Sequence, residues 1–155
     1  MYRDRKGNYH KKPENILAKK RESAYGIFFK DSKVLLIKPS WINIWEFPGG
    51  GKDYNENLLE ALKREFLKET GFEIIDFDAK PLQVINSKFY ADDLDEYFDS
   101  EMNFFRVTRL GNQNKSIIDS NEIIDLKNIS ISELNEKNMN NIHLGILNII
   151  KNGQN

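Results

Sequence analysis

The chain begins with a charged and polar stretch and then changes to short apolar runs bounded by turn residues. Residues 23–30 (SAYGIFFK) and 33–38 (KVLLIK) flank an Asp31-Ser32 turn, which is typical of two paired strands. A further short strand is predicted at residues 45–47 (WEF). Residues 48–51 (PGGG) form a run that no helix or central strand tolerates, so we predict a loop there.

The strongest helical pattern follows that loop, over residues 57–70. Apolar side chains recur at three- and four-residue spacing at Leu58, Leu59, Leu62 and Phe66. Asn57 is a suitable N-cap, Glu60 stands three residues later as in a capping box, and Gly71 follows the last turn. These signals agree with one another and predict a helix with defined ends.

The second half of the chain alternates in the manner of a sheet and ends in a helix. Strands are predicted at residues 72–77, 82–90, 102–110 and 122–129. The last pattern, over residues 141–151, predicts a helix that covers the sheet with one apolar side, formed by Ile142, Ile146, Ile149 and Ile150. The element order predicts an α/β fold with a mixed sheet.

The length of 155 residues favours one compact domain. We divide the chain into a polar, basic N-terminal arm (1–20) and a single domain (21–155). Lysines in the arm could attract phosphate, but a solvated arm is the favoured interpretation. The sequence shows neither an apolar signal-like segment at its start nor a stretch long enough to cross a membrane, so we expect a cytoplasmic protein without membrane contact.

Charge and residue types narrow the chemistry. The formal net charge of -1 lacks the basic excess that holds a nucleic-acid backbone, so we expect no stable nucleic-acid binding. The sequence has no cysteine, which excludes disulfides, thiolate zinc sites and cysteine nucleophiles. His10 and His143 are the two histidines and lie far apart, so any metal should be a hard cation bound by oxygen.

Candidate metal ligands lie on the predicted central helix. Glu65 and Glu69 are four residues apart, so their side chains project from neighbouring turns and could converge on one cation. This spacing alone is common on exposed helices, but the preceding glycines let a backbone approach a metal or phosphate closely. The sequence Gly50-Gly51-Lys52 is not a P-loop, because Asp53 stands where a Ser or Thr is needed.

Residues 50–72 resemble the Nudix box, whose pattern is Gly, five residues, Glu, seven residues, Arg-Glu, an apolar residue, any residue, Glu-Glu, any residue, Gly and an apolar residue. The chain fills the fixed positions with Gly50, Glu56, Arg64, Glu65, Glu69, Gly71 and Phe72. Only Lys68, in place of the first Glu of the pair, departs from the pattern. Residues 45–49 (WEFPG) are similar to the family's usual entry into the box.

This resemblance implies an α/β/α sandwich with a mixed sheet and a catalytic loop-helix-loop segment. It also implies that Glu65, Glu69 and the backbone carbonyl of Gly50 are metal ligands, with Mg²⁺ as the expected ion and Mn²⁺ as the alternative. Arg64 and Glu56 would form a bracing ion pair that orients Glu65. The implied reaction is hydrolysis of a pyrophosphate bond in a nucleoside diphosphate linked to another group.

The general base is drawn in this family from the box or from a later acid, for which our choice is Glu122, as base or additional ligand. A surface Glu that begins a strand is the competing interpretation. The acidic residues Asp92, Asp93, Asp95 and Glu96 are interpreted as a solvated loop.

Lys68 has two interpretations: it removes a metal ligand and repels Mg²⁺, or it contacts a substrate phosphate itself. Lys38 is a further candidate phosphate contact. Trp41, Tyr90 and Phe105 are candidates for stacking on a base, with packing or surface roles as the competing interpretation. The expected partner is a small nucleotide-like molecule, and a homodimer is left open. The alternative function is a catalytically weakened Nudix-fold module that binds a nucleotide-like ligand or a protein.

Overall fold

The computed structural model describes residues 1–153. Ten strands form two sheets, and two helices accompany them. The strands are β1 Tyr2–Arg3, β2 Tyr9–His10, β3 Lys19–Ile27, β4 Phe29–Lys30, β5 Lys33–Pro39, β6 Gly49–Gly51, β7 Phe72–Phe77, β8 Gln83–Ala91, β9 Glu96–Gln113 and β10 Ile123–Ser130. The helices are α1 (Leu58–Thr70) and α2 (Asn141–Gly153), and short 3-10 turns lie at Lys115–Ile117 and Ile131–Glu133.

The larger sheet is mixed. Its strand order is β2-β1-β8-β9-β3-β6, and β7 pairs with the long strand β9. Strands β3 and β9 are parallel, whereas β8 and β7 run antiparallel to β9. The smaller sheet, β10-β5-β4, is antiparallel. This arrangement confirms the predicted α/β class with a mixed sheet.

Two apolar cores explain the layering. One packs Leu62 and Phe66 of α1 with sheet residues that include Ala24, Leu35, Phe105 and Val107. The other packs Ile146 and Leu147 of α2 with sheet residues that include Val34, Leu36, Phe47 and Phe104. Successive residues of β5 therefore point to opposite cores, as the two-residue period of a strand requires. The sheets lie between two helices in an α/β/α sandwich.

Helix α1 has the ends that local sequence signals predict. The Asn57 side chain accepts a hydrogen bond from the Glu60 backbone N–H at 2.9 Å, and the Glu60 carboxylate accepts from the Asn57 N–H at 3.1 Å. Gly71 ends the helix in the left-handed conformation, with φ 74°. The predicted helix and its capping box are confirmed, and α1 has a fixed start that is separated from β6 by residues 52–57.

The glycine run is an edge strand, which corrects the predicted loop at 48–51. Gly49, Gly50 and Gly51 pair antiparallel with β3 at the end of the larger sheet. A Cβ at Gly49 would stand 2.2 Å from the Ala24 carbonyl oxygen, so only glycine permits this approach. The strand predicted at 45–47 reduces to isolated bridges of Trp45 and Glu46.

The predicted strand pair at 23–30 and 33–38 is also corrected. The first segment divides at Phe28: β3 joins β9 and β6 in the larger sheet, and only β4 pairs with β5. The turn between β4 and β5 is confirmed, with positive φ at Asp31 and Ser32. A local apolar pattern does not encode this change of sheet, because the partners β9 and β6 lie far away in sequence.

Helix α2 buries a different stripe from the predicted one. Ile146 is buried as expected, but Ile149 is 50% exposed, and His143 and Leu147 take the central buried positions. Ile142 and Ile150 are partly buried against the same core. The ring of His143 packs among apolar aromatic side chains, and this packing takes the buried position that periodicity assigns to an isoleucine.

No helix among residues 1–153 has the length and apolar character needed to cross a membrane.

The N-terminal segment contacts the larger sheet. Strands β1 and β2 pair with each other, and Arg3 pairs with Phe89 of β8. Tyr2 is buried and donates its hydroxyl hydrogen bond to Asp99 at 2.9 Å. Residues that a polar pattern assigns to a solvated arm therefore include an aromatic anchor, and β3 already begins at Lys19.

Candidate active site

Arg64, in the middle of α1, ties the loop before that helix to the glycine strand. Its guanidinium donates to both Glu56 carboxylate oxygens, at 2.6 and 3.1 Å, and to the Gly51 carbonyl oxygen at 3.0 Å. It also donates to Glu65 at 2.5 Å. Hydrogen bonding from Arg64 is the largest cause of the lowered pKa of Glu56, about 2. One arginine thus fixes a loop acid, a backbone carbonyl and a helix acid.

Glu65 and Glu69 both lie against β6. Glu69 is 9% exposed, and its carboxylate accepts a hydrogen bond from the Gly49 N–H at 2.7 Å. A Cβ at Gly50 would stand 2.9 Å from the Glu65 carboxyl carbon, so the Gly50 backbone and the Glu65 carboxylate are in close contact. The two acids from neighbouring helical turns therefore meet adjacent residues of the glycine strand.

The electrostatics of this region favour a cation. Burial raises the pKa of Glu69 to about 8; the Gly49 hydrogen bond opposes this shift, and the charges of Glu65 and Glu46 add to it. Several carboxyl groups thus share a partly dry region in which like charges repel. A divalent ion beside Glu65 and Glu69 would relieve that repulsion.

The available ligands fit a hard divalent ion that completes its shell from water or phosphate. Within residues 1–153 no group of three or more Asp, Glu, His or Cys side chains has the arrangement of a metal cage. Mg²⁺ commonly uses one or two carboxylates together with waters and substrate phosphates. The two carboxylates of Glu65 and Glu69 meet that requirement without a protein cage.

Lys68, on the exposed side of α1, forms an ion pair with Glu122, which precedes β10. The ammonium nitrogen lies 3.4 Å from a Glu122 carboxylate oxygen, and the two side chains are 46% and 47% exposed. Partial burial lowers the pKa of Lys68, but the nearby carboxylates of Glu65, Glu122 and Glu69 outweigh it, and the net pKa is raised. The later acid thus lies beside the box, next to the residue that departs from the box pattern.

The other sequence candidates are dispersed. The ammonium of Lys38 lies 4.5 Å from the centre of the Trp45 ring. Trp41 is 57% exposed and adjoins Ser40, whose N–H donates to the Glu122 carbonyl oxygen at 2.8 Å. The structure therefore brings the Trp41 backbone close to Glu122 and places Lys38 against an aromatic ring.

Two stacking candidates have other partners. Phe105 is buried in the α1 core, where no base can reach it, so the proposed stacking role of Phe105 is wrong. The hydroxyl of Tyr90 donates to Asp95, and its ring packs on Tyr97. The acidic residues around Tyr90 pair with the N-terminal segment instead of the box, through Arg5–Asp92, Arg5–Asp93 and Lys19–Glu96.

Sequence reasoning did not assign a role to Glu46. Its carboxylate accepts a hydrogen bond from the Asn140 side chain at 2.8 Å, and burial raises its pKa while Asn140 opposes the shift. Its charge also contributes to the raised pKa of Glu69. A glutamate between two buried aromatic residues, Trp45 and Phe47, was the available signal.

His143 has a structural position. Its Nδ1 accepts a hydrogen bond from the Phe47 N–H at 3.0 Å, and its ring stacks on Phe47 with an interplanar angle of 14°. Burial lowers the pKa of His143 to about 3, so the ring is neutral at ordinary pH. It anchors α2 to the segment that leads into the glycine strand.

Two clefts lie outside the acidic site. They have volumes of about 410 and 390 Å³, and both are bordered by Leu35 and Phe72 near β7 and β10. Neither is lined by the box acids.

The α/β/α sandwich, the two helix acids beside the glycine strand and the arginine that holds them together are the features of a Nudix domain. The chain belongs to this family, since the model of the NUDIX domain matches residues 19–148. The crystal structure of a MutT NUDIX hydrolase from Burkholderia pseudomallei superposes with a TM-score of 0.68 at 17% identity, covering 84% of this chain and 97% of that chain. At this identity the likeness concerns the fold.

Curated relatives match over shorter segments. The 8-oxo-dGTP diphosphatase of Buchnera aphidicola subsp. Schizaphis graminum is 41% identical over 56 residues, which are 34% of this chain and 43% of that protein. The protein of the same name from B. aphidicola subsp. Acyrthosiphon pisum is 54% identical over 33 residues, 21% and 27% of the two chains. The matches therefore span less than half of either relative.

Proposed function

We propose that the protein is a metal-dependent hydrolase that cleaves a pyrophosphate bond in a nucleoside diphosphate linked to another group. The observation that carries this proposal is the placement of Glu65 and Glu69 against the glycine strand, with Arg64 bound to Glu65 and to the Gly51 carbonyl. Membership of the NUDIX family supports the same chemistry.

Glu65, Glu69 and the carbonyl oxygen of Gly50 would hold the divalent cation, for which Mg²⁺ is our first choice and Mn²⁺ the second. When bound, such an ion neutralises phosphate oxygens and lowers the pKa of a coordinated water. The chain itself keeps the ligands in place, because the Gly49 N–H holds Glu69 and Arg64 holds Glu65.

Glu122 is our assignment for the group that removes the proton from the attacking water. In this scheme the water oxygen bonds to phosphorus, the bridging P–O bond breaks, and the leaving phosphate departs with the bond's electron pair. The ion pair with Lys68 keeps the Glu122 carboxylate close to the box. An acid of the box is the competing source of the base.

The substrate class follows from charge and from the relatives. Lys68 and Lys38 are the proposed phosphate contacts, and the exposed Trp41 is the proposed contact for a base. Two relatives are named 8-oxo-dGTP diphosphatase, so 8-oxo-dGTP is the first compound to test. Nucleoside triphosphates, nucleotide sugars, dinucleoside polyphosphates and dinucleotides complete the panel.

The test is an assay of pyrophosphate-bond cleavage over this panel with Mg²⁺ and then Mn²⁺, on the wild type and on two variants, with the products separated and identified by chromatography. We expect Glu69→Gln to lower the rate on the best substrate by more than about 100-fold, since loss of a ligand should exceed the effect of an outer contact. Glu73→Gln, a change at an exposed glutamate on β7, should leave the rate unchanged. Equal rates for Glu69→Gln and the wild type would contradict the proposal.

A nucleotide-binding module without turnover is the second candidate, and the replacement of a box glutamate by Lys68 favours it. In that case a panel compound should raise the melting temperature while no cleavage product forms at any metal concentration. Turnover that depends on Glu69 excludes this candidate.

A further inference from the structure

Lys68 places a positive charge among the acids of the site. Its ammonium lies 3.4 Å from Glu122, and the carboxylates of Glu65 and Glu69 are near enough to act on its charge. In the box pattern this position carries a carboxylate. The chain therefore carries a positive group where the box pattern has a negative one, at a point near three acids.

The positive charge of Lys68 bears on how many cations the site could hold. In the free protein Glu122 is paired with Lys68, which leaves Glu65 and Glu69 as the acids available to a divalent ion. Residues 1–153 contain no larger ligand cluster that would compensate. A second divalent ion beside Lys68 would meet a like charge and one fewer carboxylate.

Lys68 is also free to exchange partners. Both members of the pair are nearly half exposed, and one contact of 3.4 Å holds them. An ammonium group on a flexible stem carries three donors and binds phosphate as a compact charge. Its partner in the free protein is a carboxylate, which a more highly charged phosphate group can displace.

We propose that Lys68 stands in for one divalent ion of the site: it binds a phosphate group of the substrate directly and releases Glu122 when it does so. The inference rests on the proposed pyrophosphohydrolase function and deepens it. The protein then holds one divalent ion, on Glu65 and Glu69. The second positive charge belongs to the chain itself.

The experiment measures binding, independently of turnover. Mn²⁺ alone is titrated into the wild type, Lys68→Glu and Glu69→Gln, with free Mn²⁺ followed by electron paramagnetic resonance. Methylenediphosphonate, which cannot be hydrolysed at its bridge, is titrated into the wild type and Lys68→Met by calorimetry at constant excess Mn²⁺. Lys63→Glu is the matched control, because Lys63 is exposed on the same helix and contacts the Phe77 ring instead of the acids.

We expect Lys68→Glu to bind Mn²⁺ more tightly than the wild type by about tenfold or more, and to bind one additional ion per chain. Lys68→Met should bind methylenediphosphonate about tenfold more weakly. Lys63→Glu should change Mn²⁺ binding by less than about twofold, since its charge is distant and screened. Circular dichroism and the melting temperature should show that the Lys68 and Lys63 variants fold, because both lysines are exposed. Glu69→Gln should also fold, because glutamine has nearly the same shape and its amide oxygen can accept the hydrogen bond from the Gly49 N–H.

Two results would overturn the inference alone: Mn²⁺ binding by Lys68→Glu no tighter than by Lys63→Glu, or unchanged diphosphonate binding by Lys68→Met. In both cases a loss of Mn²⁺ binding in Glu69→Gln would leave the proposed function intact. A wild type that binds Mn²⁺ no better than Glu69→Gln would overturn the proposed function together with the inference.

Discussion

Helix α1 has two groups of charged contacts that differ in how tightly they are held. We call the contacts of Arg64 the braced end and the contact of Lys68 the open end. At the braced end, Arg64 joins Glu56, Glu65 and the Gly51 carbonyl through four hydrogen bonds of 2.5 to 3.1 Å. At the open end, Lys68 meets Glu122 through one contact of 3.4 Å, with both side chains nearly half exposed. Glu56 and Glu65, by contrast, are only 12% and 15% exposed.

The difference teaches what each end can do. A forked guanidinium with several partners fixes the backbone and the ligand acids in one geometry. A single exposed ion pair is worth little to stability and exchanges its partner at low cost. The braced end therefore suits a constant task, to hold a metal ligand, and the open end suits a contact that changes when substrate binds.

The largest expected effect is on the free energy of unfolding, when a substitution disturbs the glycine strand β6 that supports the braced end. Gly49→Ala should lower the free energy of unfolding by about 3 kcal/mol, because the new Cβ would overlap the Ala24 carbonyl oxygen. Gly145→Ala is the matched control: no atom lies within 4 Å of its Cβ, and alanine in helix α2 should stabilise by about 0.5–1 kcal/mol. Urea unfolding measures both. A loss equal in the two variants would contradict the close approach of β6 to β3.

The next effect is on activity. Arg64→Ala should lower kcat on the best substrate by about 10- to 100-fold, because Glu65 loses the partner that orients it. Arg64→Lys should recover only part of this loss, since an ammonium cannot fork between Glu56 and Glu65. Arg109→Ala, at an exposed arginine of β9, is the control. Activity of Arg64→Ala within twofold of wild type would show that the brace does not position the site.

The acid sensitivity of the braced end is a finer test. The pKa of Glu56 is about 2 in the folded protein and 4.5 in the unfolded reference. A lowered folded pKa contributes stability that is fully present above pH 4.5 and is lost as pH falls towards 2. The difference in free energy of unfolding between wild type and Glu56→Gln should therefore shrink over that interval. A difference that stays constant with pH would contradict the ion pair with Arg64.

The smallest expected effect on stability is at the open end. Glu122→Gln should change the free energy of unfolding by less than about 1 kcal/mol, as for other exposed ion pairs. The same variant should lower kcat by about 100-fold if Glu122 is the base. Melting curves and initial rates on one preparation separate the two effects. A large loss of stability would show that the open end is a structural contact.

The sequence predicts those parts of the fold that depend on neighbouring residues. Helix α1 was predictable with its ends, because Asn57, Glu60 and Gly71 act on the backbone within one turn. The spacing of Glu56, Arg64, Glu65 and Glu69 within a known box likewise fixed which residues to compare. Their metal-binding and catalytic roles remain predictions.

Contacts between distant segments were not predictable in the same way. Tyr2 meets Asp99 and Glu46 meets Asn140 across more than 90 residues, and neither pair has a local signal. The glycine run reads as a loop until β3 is placed beside it, since its pairing depends on the absence of side chains. The division of residues 23–30 between two sheets has the same cause.

The most direct test of the central claim is anomalous diffraction from a crystal soaked in Mn²⁺ with methylenediphosphonate. The account predicts a manganese peak in contact with the carboxylates of Glu65 and Glu69 and the Gly50 carbonyl oxygen, and with a phosphonate oxygen. A structure in which both carboxylates face bulk water, with the ion bound elsewhere, would contradict it.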